Sequence, residues 1–198
     1  MSITAKYNKI GLFFCQRTVD LDMEKSYLRF LKYLAPKSTI LDAGCGSGRD
    51  VKAFYERGYQ VHGIDGSEEI VKFASEYTGS HIVHLCFEEM TFQDNFDGIW
   101  ANASLVHMSP KELEAIFPRF IKALRPDGYW HILFKYGDDP CLDDLIPSFF
   151  QNQNSLTALL DKFPELLIQE IWIEESPLAK GGIAKWIGCI VKKKRSLN

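Results

Sequence analysis

Residues 42–48 read Asp-Ala-Gly-Cys-Gly-Ser-Gly, directly after Ser38-Thr39-Ile40-Leu41 and directly before a helical pattern. The apolar stretch has strand character, and Val51, Phe54 and Tyr55 recur at helical spacing behind the turn. Gly44, Gly46 and Gly48 permit backbone conformations and close approaches that a side chain forbids. Strand, glycine-spaced turn and helix in that order form the unit at which open α/β sheets bind ligands.

Spacing then separates the ligand classes. The dinucleotide fingerprint requires Gly-x-Gly-x-x-Gly, whose third glycine lets the helix pack on the strand. Counted from Gly44 and Gly46 that position is Arg49, and from Gly46 and Gly48 it is Val51, so the dinucleotide pattern fails. A second strand pattern over 59–64 ends on Asp65, 21 positions after Gly44. A carboxylate there offers two acceptor oxygens to the two vicinal hydroxyls of a ribose. Gly66-Ser67 then turns into a helix with Ser67 as its N-cap and Glu68 and Glu69 in its first turn.

Further strands read at 81–86, 96–101, 128–134, 167–174 and 184–191, making seven with the first two. Strands alternating with helices imply a mostly parallel sheet with crossover helices on both faces. Residues 22–35 read as one helix carrying Tyr27, Leu28, Leu31 and Leu34 on its buried face. Ser109-Pro110-Lys111-Glu112 combines an N-cap serine, a first-turn proline and a capping-box glutamate. Leu113, Ile116, Phe117, Phe120, Ile121 and Leu124 form the stripe behind it, and Pro118 is expected to kink that helix.

At 198 residues, 46% hydrophobic and 25% charged, the chain reads as a single α/β domain over 1–198. Cap helices are expected within 1–37, and the irregular stretch 137–154, with Asp138, Asp139, Asp143, Asp144 and Phe149-Phe150, reads as a lid or substrate loop. Five scattered cysteines and no Cys/His cluster argue against a disulfide framework and against a metal site, and point to a reducing cytoplasm. Neither a signal peptide nor a membrane-length apolar run is read. The net charge of −3 and the short run Lys192-Lys193-Lys194-Arg195 argue against a nucleic-acid partner. Oligomeric state leaves no mark in the sequence.

The element 42–48 resembles motif I of the class I S-adenosylmethionine-dependent methyltransferases. Phe96-Asp97-Gly98-Ile99-Trp100-Ala101-Asn102 looks like their fourth strand, and Leu124-Arg125-Pro126-Asp127-Gly128 resembles their Leu-x-Pro-Gly-Gly turn. Gly48-Arg49-Asp50, the segment 103–107 and Phe134-Lys135-Tyr136-Gly137 narrow the likeness to small bacterial methyltransferases of the tellurite-resistance-like group.

The resemblance implies a Rossmann-like doubly wound domain whose seventh strand runs antiparallel beside the fifth. It also implies S-adenosyl-L-methionine as cofactor, with Asp42, Gly44, Cys45, Gly46 and Gly48 around its methionine part and Asp65 and Gly66 at its ribose. Cys86 stands where relatives carry an acid near the adenine, leaving backbone around Phe87, the Phe87 ring or Glu88 for that contact; Phe87 reads equally well as core.

Transfer of an activated methyl asks chiefly that an acceptor be held in line and kept from water. Asn102 and Ala103 are expected at the methyl end, and His107 is the candidate base because its unperturbed pKa lies near neutrality. Tyr136 and Lys135 follow the fifth strand and are placed to orient a substrate. His107 also reads as a structural hydrogen-bonder, and His62, His81, His84 and His131 as strand residues. The acceptor expected is a small molecule. Methylation of RNA, guided by the basic tail, and cofactor binding without catalysis are the two other readings.

Overall fold

The computed structural model describes residues 3–138, 146–177 and 183–195. Helices α1 (Ile3–Thr18) and α2 (Glu24–Leu31) precede β1 (Thr39–Ala43), α3 (Arg49–Glu56), β2 (Gln60–Asp65), α4 (Glu68–Thr78) and β3 (Ile82–His84). Then follow β4 (Phe96–Asn102), α5 (Pro110–Ala123), β5 (Leu124–Lys135), α6 (Gln153–Leu160), β6 (Leu166–Pro177) and β7 (Ile183–Lys193). The strands form one sheet in the order β3-β2-β1-β4-β5-β7-β6. The β1–β2, β1–β4, β2–β3 and β4–β5 pairs are parallel, and β7 runs antiparallel to both β5 and β6. This is the Rossmann-like architecture expected from the sequence.

Chain direction decides where a ligand can sit. From β1 the chain winds outward through β2 and β3, then crosses back to β4 on the other side of β1. The carboxyl ends of β1 and β4 therefore part at a topological switch point, the crevice in which sheets of this kind bind ligands. α2 and α3 cover one face through Tyr27, Phe30 and Phe54, and α5 covers the other through Leu113, Phe117 and Phe120.

Several elements depart from their sequence reading. The helix expected over 22–35 spans only Glu24–Leu31, and Leu28 on its expected inner face is 61% exposed. Phe30 is buried in its place, because Trp100 of β4 and Phe54 of α3 present rings with centroids 5.3 and 6.1 Å away. Large aromatic faces bury more area than Leu28 can offer and so select the rotation of the helix. The third strand is confined to Ile82–His84, since Cys86 already opens a 3-10 turn at Phe87–Glu89. α5 begins with the expected reciprocal cap between Ser109 and Glu112 and continues through Pro118. Of the loop read over 137–154, residues 139–145 lie outside the described residues, and α6 starts within its end at Gln153.

Beneath β4 lies a buried polar hub. Asp50 accepts hydrogen bonds from the Tyr27 hydroxyl, from Arg49 Nε and Nη2 and from Trp100 Nε1, at 2.5 to 2.9 Å. Burial alone would raise its pKa, but the Arg49 charge and these donors hold it below the usual carboxylate range. His131 stacks on Trp100 at 3.8 Å, and its Nδ1 has no hydrogen-bond partner among the described residues. Burial pushes its pKa down to about 3.

A histidine that stays neutral when folded and titrates near 6.5 when unfolded draws protons to the unfolded state as pH falls between those values. Stability at pH 5 should therefore lie about 2 kcal/mol below that at pH 7 from this residue alone. Urea unfolding at the two pH values should show His131→Phe losing correspondingly less than wild type. Equal losses would mean that His131 is charged in the fold.

Candidate active site

The turn after β1 is tied to β2 by its own backbone. Gly44 N and Cys45 N both donate to the carbonyl of Ile64, at 2.9 Å each. Gly44 has φ +76°, and a Cβ there would stand 2.5 Å from Ser104 Cβ. Gly46 has φ +54°, and a Cβ there would meet the Phe14 ring at 3.3 Å. Gly48 caps α3 and packs against α4 through Ala74 and Thr78.

Asp65 closes the turn from the other side. Its Oδ2 accepts from Gly46 N at 3.1 Å and its Oδ1 from Ser67 N at 2.9 Å. Each oxygen keeps a second acceptor site. Burial raises the Asp65 pKa even against these donors. Ser67 caps α4 as expected, accepting from Ile70 N. Gly66 packs against Thr4 and Cys86.

Two buried polar atoms at this turn have no partner among the described residues. They are Asp42 Oδ2 and Ser104 Oγ. An orphaned buried acceptor or hydroxyl costs about 1–3 kcal/mol, so the pair marks a place where a polar ligand would complete the structure. Burial, followed by the nearby Asp50 charge, lifts the Asp42 pKa well above the usual range.

β4 delivers the other wall. Asn102 ends the strand with Oδ1 3.4 Å from His131 Nε2. Ala103 adopts φ +57°, a left-handed conformation costly for a residue with a Cβ, and it turns the chain toward His107. His107 Nδ1 lies 2.7 Å from the Pro147 carbonyl. A carbonyl only accepts, so Nδ1 carries the proton and Nε2 presents its lone pair, which accepts from the Tyr7 hydroxyl at 2.8 Å. Burial, and after it the Lys135 charge, lowers the His107 pKa, while burial and then Asp65 push the Tyr7 hydroxyl up to about 12.

Sequence reasoning took 1–37 only as cap helices, yet α1 crosses the site. Besides Tyr7 it places Phe14 against Gly46, and Asn8 Oδ1 2.6 Å from Ser67 Oγ. Tyr7, Gly11 and Phe14 share one face of the helix, a signal present in the sequence but blurred by apolar residues on other faces. The hydroxyl that meets His107 is thus Tyr7's, whereas Tyr136 packs against the core on the α5 side. Phe87 sits edge-on to Phe120, with its ring tip 3.3 Å from where a Gly44 Cβ would lie. Cys86 N bonds Glu89, and Glu88 is exposed. The described residues contain no cluster of His, Cys, Asp or Glu that could hold a metal ion.

Residues 40–128 match the family model described as a methyltransferase domain. The chain is 36% identical over 97 residues to the ubiquinone biosynthesis O-methyltransferase of Idiomarina loihiensis, covering 45% of this chain and 39% of that one. It spans less than half the length of curated relatives such as this. Among solved structures it is similar to the Burkholderia thailandensis 1,6-didemethyltoxoflavin-N1-methyltransferase with bound S-adenosylhomocysteine. That likeness has a TM-score of 0.76 at 22% identity, over 97% of this chain and 88% of that one. A TehB-like methyltransferase from Corynebacterium glutamicum aligns with a TM-score of 0.71 at 18% identity, over 98% and 100% of the two chains.

Sheet order, glycine turn and the acid closing β2 define the class I methyltransferase architecture. Residues 40–128 thus match a methyltransferase domain, within a fold shared with S-adenosylmethionine-dependent methyltransferases of known structure. The residues of the site fit the cofactor: the glycine cradle has no room to spare for Cβ atoms, and the orphaned Asp42 and Ser104 atoms lie beside it.

Asp65→Ala should keep the fold but weaken S-adenosylmethionine binding at least about tenfold, since each charged hydrogen bond lost is worth about 1.5–3 kcal/mol. Calorimetry showing wild-type affinity in a folded variant would remove Asp65 from the ribose. Gly46→Val should abolish binding as well, by displacing Phe14 and straining φ, and a valine variant with normal affinity and Tm would release the turn from that role.

Proposed function

We propose that the protein transfers a methyl group from S-adenosylmethionine to a small-molecule acceptor, with His107 Nε2 as the proton acceptor. The observation that carries this reading is the fixed tautomer of His107, whose Nε2 lone pair accepts from the Tyr7 hydroxyl at the carboxyl end of β4. When bound, the cofactor supplies a methyl already activated on a sulfonium. Asp42, Gly44, Cys45, Gly46, Gly48, Asp65 and Gly66 would hold its amino-acid and ribose parts, Cys86, Phe87 and Glu88 would serve the adenine, and Asn102 and Ala103 would line the methyl end.

His107 takes the proton of an acceptor O–H or N–H at Nε2, while its Nδ1–H donates to Pro147 O and so stabilises the imidazolium formed. Its lowered pKa keeps the base neutral at and somewhat below neutral pH. Tyr7, bonded to the same nitrogen, excludes water until an acceptor takes its place. Tyr136 stays a positioning element behind this wall.

The basic tail gives the RNA reading little support. Lys192 and Arg195 pair with Asp127, and Lys193 with Asp94, beside the amino end of β5 and thus opposite the site. No described helix is long and apolar enough to cross a membrane. Cys15, Cys45, Cys86 and Cys189 are free thiols, which suits a cytoplasmic setting.

A substrate panel with labelled cofactor, run over small amines, phenols, thiols and tRNA, tests the acceptor class. Once an acceptor is found, His107→Asn should leave cofactor affinity unchanged and lower kcat about 10²- to 10⁴-fold. The wild-type rate should rise with pH through a pKa below the ordinary histidine value, a step the variant lacks. Matching pH profiles in both proteins would leave His107 as scaffold.

A further inference from the structure

One strap of chain fixes two different groups side by side. Phe149 N donates to Val106 O at 2.7 Å, and Gln151 N to Lys135 O at 2.9 Å, which pins residues 146–151 across the carboxyl ends of β4 and β5. Its consecutive residues Pro147 and Ser148 hold the two groups: Pro147 O takes His107 Nδ1–H, and Ser148 Oγ takes Lys135 Nζ–H at 3.0 Å. Base and ammonium are thereby set at neighbouring points of one rim.

Lys135 differs from most other cations near packed surfaces. Arg29, Lys32, Arg49, Arg57, Lys192 and Lys193 each meet a carboxylate, whereas Lys135, half-buried, meets none among the described residues. Its neighbours are the Ser148 hydroxyl and the Phe150 ring, 5.8 Å from Nζ. A partly desolvated ammonium without a counterion is costly unless an anion arrives. Ser148 is 1% exposed and uses its oxygen as acceptor for Lys135, so its hydroxyl proton remains free to donate to the same anion.

We propose that Lys135 and Ser148 form an oxyanion subsite, and that the methyl acceptor is a small acid whose carboxylate or phosphate docks there while its nucleophilic atom faces His107. The proposal rests on the methyl-transfer reading for the acceptor, but the subsite itself is measurable without catalysis. Its electrostatics give it a second effect. The Lys135 charge helps to keep the His107 pKa low, so an anion that neutralises it strengthens the base as the substrate docks. The charged or titratable groups facing His107 in this account are Tyr7 from α1 and Lys135 from β5.

The test is an NMR titration of the histidine ring signals, with His107 assigned through His107→Asn, in the presence of inorganic phosphate or acetate. Either anion should bind saturably and raise the His107 pKa. Lys135→Met should raise that pKa by itself and abolish the response to both anions, and Lys135→Arg should preserve the response. Ser148→Ala should weaken anion binding about tenfold, the worth of one charge-assisted hydrogen bond. A response to acetate alone narrows the class to carboxylates, and one to phosphate alone to phosphorylated acceptors. No response in folded wild type, or an equal response in Lys135→Met, overturns the subsite. Calorimetry with S-adenosylmethionine on the same samples tests the methyl-transfer reading separately: loss of that binding would sink the reading and leave the anion result standing.

Discussion

The carbonyl of Ile64 accepts from two consecutive amides of the glycine turn, and this bifurcated contact is the joint on which the functional end of the molecule is built. It pulls the chain leaving β1 across onto β2, so the next amide, that of Gly46, falls within reach of the Asp65 carboxylate. Asp65 in turn bonds Ser67 N and thereby orients the start of α4, against which α1 packs at Gly11. Turn, acid and both helices thus form one chain of backbone-driven constraints. The cofactor cradle needs no separate set of interactions to hold its shape.

α1 completes the site from a distance in sequence. Tyr7 and His107 are 100 positions apart and joined by one hydrogen bond. The helix is anchored at Gly11 and Ser67, and its cover over the turn depends on Phe14. Opposite, the Asp50 hub binds Arg49 of α3 and Tyr27 of α2 to Trp100 of β4, which fixes the wall from which His107 projects. Rigid support lies on the strand side, and the cover lies on the helix side.

What could be read in the sequence was whatever rests on local spacing. The glycine turn, the acid 21 positions on, the Ser67 cap and the Ser109–Glu112 box each need only a few neighbouring residues to be recognised, and each stands in the fold as read. The antiparallel seventh strand came through resemblance. The rotation of α2 was hidden because Leu28 and Phe30 both fit helical stripes, and only the aromatic surface under the helix chooses between them. α6, whose first two residues fall within the stretch read as a loop, was hidden because its cap, Asn152 with Ser155, consists of residues equally at home in turns. Tyr7 carried only the blurred helical face it shares with Gly11 and Phe14, because its meaning comes from a partner brought near by the whole sheet.

Gly11 gives α1 the character of a lever. A single methyl there would meet Ile70 Cγ1 at 3.1 Å, tight enough that one helix must give. Tyr7 lies one turn along the same face, about 6 Å from that fulcrum. Hydrogen bonds keep to a narrow range of distance and angle, so the seating of α1 at Gly11 sets the geometry in which the phenol meets the imidazole. A residue larger than glycine at position 11 would therefore disturb the Tyr7–His107 contact without touching either partner.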